Sequence, residues 1–209
     1  MDSNSDQSSI SLVIQAGGKS SRMGENKMLM PFMGVPLIQR VYERTKSIAD
    51  EVIIISNDPE GLTFLGDNLV RDSIEGKGAI GGLYTAMDKA SSVLVAVVAG
   101  DLPFVNASIL EEGARLLNES GADVAIPKIN DKYYEPLHAV YRRETCKRAI
   151  LRAIQADQRR LISWFPMVQV VEMDETLCKR LDPDGHAFFN INNREDFLLA
   201  EQIELGIAK

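Results

Sequence analysis

Residues 16–27 read Ala-Gly-Gly-Lys-Ser-Ser-Arg-Met-Gly-Glu-Asn-Lys, which puts Lys19, Arg22 and Lys27 in one glycine-rich loop. Glycine lets the backbone approach a phosphate closely, and the three cations supply opposing charge, so the segment has the chemistry of a phosphate cradle. It is not a Walker A loop, because the required first glycine would fall on Val13. Gly76-Lys-Gly-Ala-Ile-Gly81 matches G-x-G-x-x-G, and Asp101 follows at about the distance of a ribose-binding acid. That fingerprint should follow a buried strand, yet Arg71-Asp-Ser-Ile-Glu75 is mostly polar, which argues against a nicotinamide or flavin dehydrogenase. Asp101 itself lies in Gly100-Asp-Leu-Pro-Phe104, directly after the most apolar run of the chain. A carboxylate there is suited to hold Mg2+ bridging phosphate oxygens.

These loops need a scaffold that brings them to one edge. Residues 10–14, 51–56, 93–99 and 122–126 are short, apolar and rich in Val and Ile. They read as buried strands, and helices are expected between them at 37–48, 79–89 and 107–118, with Pro36 suited to a first turn. Strands that are apolar throughout and alternate with helices imply a mostly parallel sheet covered on both faces, so the expected fold is a three-layer α/β/α, Rossmann-like domain. After Pro127 a strand at 134–141, a helix at 143–155, a strand at 168–172 and a closing helix capped by Asn193 are expected. In such sheets ligands bind at the carboxyl ends of the strands, which is where loops 16–27 and 100–104 fall.

Composition narrows the class. The chain has 209 residues, 45% hydrophobic and with a net charge of −7, which suits one globular domain over 10–206 and argues against a protein that coats nucleic acid. The polar stretch 1–9 reads as a loose tail rather than a signal peptide, no uncharged apolar run is long enough to span a membrane, and a cytoplasmic location follows. Cys146 and Cys178 read as buried reduced thiols. Met23, Met28, Met30 and Met33 read as packing, Trp164 and Phe165 as anchors of a small helix, and Arg142-Arg143 as part of a solvated helix face.

Taken together, the loops resemble the nucleotidyltransferases of the GT-A-like fold, and most closely the molybdenum cofactor guanylyltransferase (MobA-type) family. The resemblance is carried by residues 16–27, Pro-Leu-Ile 36–38, Ile-Ile-Ser-Asn 54–57, Arg-Asp-Ser 71–73, the glycine loop 76–82, Gly-Asp-Leu-Pro-Phe 100–104, Glu-Pro-Leu-His-Ala-Val-Tyr 135–141 and Phe-Asn-Ile-Asn-Asn-Arg-Glu-Asp 189–196. It implies GMP transfer from GTP to the terminal phosphate of molybdenum-molybdopterin with release of pyrophosphate; the related alternative is a transferase using CTP or another phosphorylated acceptor.

By the same resemblance, Gln15, Ala16 and Gly17 would meet guanine and ribose through their backbone, and Gly18 and Arg22 the phosphates. Lys27 would stabilise the α-phosphate, and Asn57 and Asp72 would contact the nucleoside. Asp101 would hold Mg2+ or Mn2+, joined by Asn190 or Asn192. Glu135-Pro-Leu-His138, Arg159 and Arg160 would contact the pterin. Partners would include other molybdenum cofactor biosynthesis proteins and recipient molybdoenzymes. The chain departs from the family where Gln15 stands in place of the usual Leu, Gly78-Ala79-Ile80 in place of Gly-Pro-Leu, and Asn193-Arg194 in place of Thr-Pro.

Overall fold

A computed structural model describes residues 9–17, 26–66, 68–130 and 132–208. In chain order its strands and α-helices are β1 (Ile10–Gln15), β2 (Pro31–Phe32), β3 (Val35–Pro36), α1 (Leu37–Thr45), β4 (Glu51–Ile55), β5 (Leu69–Val70), α2 (Ala79–Lys89), β6 (Leu94–Ala99), α3 (Ala107–Ser120), β7 (Val124–Ile129), β8 (Tyr133–Tyr134), β9 (His138–Arg142), α4 (Arg143–Gln155), β10 (Val170–Met173), α5 (Glu175–Leu181) and α6 (Arg194–Glu204). The main sheet runs β10-β7-β9-β6-β1-β4-β5, with β8 pairing β7 at one side. Only β9 and β8 oppose their neighbours; the remaining ladders of this sheet are parallel.

The alternation of β6 shows why this sequence makes two covered faces. Leu94, Ala96 and Val98 pack with Ile38 and Val41 of α1 and Leu110, Ala114 and Leu117 of α3. Val95 and Val97 pack on the other face with Ile80, Leu83 and Met87 of α2 and Ala149, Ile150 and Ala153 of α4. Each fully buried Val or Leu contributes about 1.5–3 kcal/mol, so a strand with all six residues buried is a dominant local source of stability. The expected α/β/α layering is therefore present.

Differences from the sequence reading have local causes. The expected strand 134–141 is broken into β8 and β9, because Pro136 has no N–H to give a ladder and Glu135 and His138 close a turn instead (His138 N to Glu135 O, 3.1 Å). Asn193 does cap α6, with Asp196 returning the bond to the cap backbone. Trp164 is fully buried against Tyr141 and Phe165, as an anchor should be. Arg142 and Arg143 are not a solvated face. Arg142 donates to Leu117 O (3.0 Å) and Ala122 O at the end of α3, and Arg143 to Ala90 O (2.7 Å) at the end of α2. Both guanidinium groups therefore bind carbonyls at or just past helix C-termini, Leu117 O accepting from Gly121 N as well. No helix among the described residues is long and apolar enough to cross a membrane.

Candidate active site

The carboxyl ends of β1, β4, β5 and β6 open into a crevice of about 830 Å3. One end is lined by Gln15, Gly17, Asn57, Asp72, Gly76, Gly78, Ala79 and Gly82; the other by Glu135, Pro136, Leu137, Leu161, Asn190 and Asn192, with Met28 and Asp101 between. Its size lies within the range of small-molecule sites. Gly78, at φ +61°, turns the chain into α2 with no side chain over the helix start, so the backbone end of α2 faces the crevice.

Lys27 reaches the centre from a short 3-10 turn over Lys27–Leu29, which Asn26 caps by accepting from Met28 N (3.1 Å). Met28 fastens this turn to the sheet: its sulfur lies 3.0 Å from where a Cβ on Gly100 would stand. Lys27 Nζ donates to Asp101 Oδ2 at 2.5 Å and to Ile191 O at 2.9 Å, and Ile191 N donates to Asp101 O at 3.0 Å. Three segments distant in sequence are thus joined at one point. Beneath it Phe32, Leu37, Phe104, Ile191 and Phe197 form a separate apolar cluster that fixes the 190s loop. The other oxygen of Asp101, Oδ1, is buried without a hydrogen-bond partner among the described residues.

Each end of the crevice holds an acid that burial raises. Asp72 also has a buried oxygen without a partner among the described residues, and burial, opposed by the Thr85 hydroxyl, raises its carboxyl above the usual range. Glu135 is pushed up to about 7 by burial alone. The resemblance offers Glu135 as a pterin contact within Glu135-Pro-Leu-His138, and the structure places it on the crevice lining. Position explains this: an acid beside a strand-breaking proline is held in a turn rather than on a solvated strand.

Most of the expected residues converge. Gln15, Gly17, Asn57, Asp72, Asp101, Asn190 and Asn192 all line this crevice, while Lys27 meets it through Asp101. Ala16 is buried beside them, its N–H bonded to Ile55 O. Gly18, Lys19 and Arg22 lie outside the described residues, as does Met23. His138 is placed elsewhere: it is buried under Phe188, its Nε2 is 3.1 Å from Asn106 O, and burial lowers its ring to about 4. A neutral, enclosed imidazole serves packing and is not available to a pterin. Arg159 and Arg160 are exposed outside the crevice lining, next in sequence to Leu161. Among the described residues no three His, Cys, Asp or Glu side chains gather as a metal cage.

The family model for the MobA-like NTP transferase domain matches residues 12–170. The chain belongs to the MobA-like NTP transferase family. Probable molybdenum cofactor guanylyltransferases of Pelotomaculum thermopropionicum and Peptoclostridium acidaminophilum are 36% and 32% identical. The first alignment covers 90% of both chains, and the second 92% of this chain and 89% of the relative. The solved molybdopterin-guanine dinucleotide biosynthesis protein A of Archaeoglobus fulgidus superposes with a TM-score of 0.81 at 26% identity, covering 94% of this chain and 99% of that one. As a MobA-like NTP transferase, the chain is a nucleotidyltransferase of mixed α/β fold with a mostly parallel sheet.

Proposed function

We propose that this chain transfers GMP from GTP to the terminal phosphate of molybdenum-molybdopterin, forming the guanine dinucleotide cofactor and pyrophosphate. The observation that carries the reading is the Lys27–Asp101–Ile191 junction at the middle of a crevice with two chemically distinct ends. Relatives named molybdenum cofactor guanylyltransferase, aligned over most of the chain, supply the substrates. The end at Gln15, Gly17, Asn57 and Asp72 holds the nucleoside. The end at Glu135, Leu137 and Leu161 receives the pterin, with Arg159 and Arg160 as cations at its rim.

The acceptor phosphate is already anionic at neutral pH, so attack on the α-phosphorus needs orientation and charge neutralisation rather than a strong base. Lys27 turns from Asp101 toward the α-phosphate as negative charge builds there, and Arg22 supports the phosphates. The donor set at Asp101 fits Mg2+ or Mn2+: an oxygen without a protein partner, in a crevice also lined by the amide side chains of Asn190 and Asn192. Such an ion, when bound, draws charge from the phosphate oxygens. The free, buried Cys146 and Cys178 support a reducing, cytoplasmic setting, in which the product passes to molybdoenzymes.

The test has two stages. Calorimetry with GTP, CTP, ATP and UTP, each with and without Mg2+, is expected to show preference for GTP with the metal. Pyrophosphate release from GTP is then expected to require molybdenum-molybdopterin. A preference for CTP, or release that ignores the acceptor, overturns the assignment.

A further inference from the structure

Gln15 ends β1 on the face that carries Val13, the face covered by α2, and it is among the few polar residues buried in the chain, at 8% exposure. Its main chain is already engaged in the sheet: the carbonyl accepts from Gly100 N at 2.9 Å, and the residue sits in register between Ile55 and Ala99. The side chain is not engaged. Nε2 is buried without a hydrogen-bond partner among the described residues, in a residue that lines the crevice. A buried amide left unpaired costs about 1–3 kcal/mol, so an acceptor that enters the crevice and meets it recovers that cost.

Gly82 accounts for how the carboxamide fits. A Cβ there would lie 2.8 Å from Gln15 Oε1 and 3.1 Å from Cδ, so the space of a missing side chain on α2 is taken by the Gln15 amide. Glycine inside a helix costs about 1 kcal/mol relative to alanine, and here the bare position lodges a polar group at the crevice wall. Gly76, Gly78 and Gly82 leave that wall without side chains, which suits a flat ring. The buried, unpaired carboxylate oxygen of Asp72 lines the same end. A carboxylate pairs with two adjacent donors, and guanine presents N1–H and N2–H2 side by side with the O6 acceptor next to them. Cytosine would instead turn its ring-nitrogen acceptor toward the carboxylate.

We propose that the Gln15 side-chain amide donates to guanine O6 and is a specificity-determining residue of this enzyme, reading the base through its side chain and not its backbone. The inference rests on the guanylyl reading above. Titrations of wild type and Gln15→Met with GTP and 6-thio-GTP separate the two. The thio analogue keeps both guanine donors and weakens the acceptor at position 6, and the variant, which meets the same larger sulfur, controls for its size.

Wild type is expected to bind GTP about tenfold more tightly than 6-thio-GTP, as one lost hydrogen bond of this kind implies. Gln15→Met is expected to bind both alike, with GTP affinity reduced about tenfold. Gln15→Leu serves if the Met variant does not fold, and the wild-type comparison needs no variant. Equal wild-type binding of the two nucleotides overturns the contact. So does a variant that keeps wild-type GTP affinity, or one that loses it while preserving the gap between the analogues. A wild type that prefers CTP overturns the guanylyl reading itself.

Discussion

The two sides of the crevice are built on opposite principles. Around Lys27, Asp101 and Ile191 the ammonium, one carboxylate oxygen and a carbonyl are paired with each other over an aromatic cluster, and only Asp101 Oδ1 is left open among the described residues. Around Gln15 and Asp72, at the nucleoside end, buried polar atoms lack partners among the described residues. A ligand at the first side replaces contacts that exist, so its binding gains little there and the interactions are freed to act on the transition state. A ligand at the second side supplies contacts that are missing, so its binding energy and selectivity come from there. Rate and recognition are thus separated in space.

The strongest test of that division is at the paired side. Lys27→Ala and Asp101→Asn are each expected to lower the transfer rate about 100- to 1,000-fold in single-turnover assays, with GTP affinity changed far less. Asp72→Asn belongs to the other side: it should weaken GTP binding about tenfold by calorimetry while the rate at saturating GTP stays within a few-fold.

Glu135→Gln probes a group that is held near neutrality. Because burial raises its folded value to about 7, folding favours the protonated acid. Its contribution to stability is full below the ordinary carboxylate range and is lost as pH rises through about 7. The Gln variant should therefore gain about 1 kcal/mol over wild type at pH 8 and nothing at pH 4 in urea melts, a figure reduced for solvent screening. The smallest effect is expected from Gly82→Ala. The helix gains about 1 kcal/mol of propensity, the displaced Gln15 amide offsets it, and net stability shifts by less than about 1 kcal/mol. GTP affinity should still fall several-fold; unchanged affinity would show that the Gln15 position does not matter to recognition.

How much of this was legible in the sequence differed by level. Val93–Ala99 announced a buried strand because its apolar residues run without interruption, and Ala79–Lys89 and Arg143–Gln155 announced helices through their spacing. Asp101 was legible because a carboxylate after such a strand must face the ligand edge. The short pairs β2–β3 and β5, and the helix α5, were not expected: two-residue strands carry no periodicity, and α5 is only seven residues long. His138 misled because its pterin role came from the motif resemblance alone, and only its packing against Phe188 and Asn106 shows that it is enclosed. Arg142 and Arg143 misled in the reverse sense, since charge suggests solvent while their partners are carbonyls at the ends of α3 and α2.

The single reversed strand in the main body of the sheet also dictates an order of assembly. β5, β4, β1 and β6 are mutual neighbours drawn from residues 10–99, so they can join as soon as that length exists. β7 has no partner among them: its neighbours are β8, β9 and β10, all later in the chain. Its apolar Val124-Ala-Ile126 edge therefore stays open during synthesis until His138–Arg142 emerges and slots between β6 and β7. A nascent chain stalled before that point exposes two unpaired strand edges, those of β6 and β7, and β9 is the one piece that covers both.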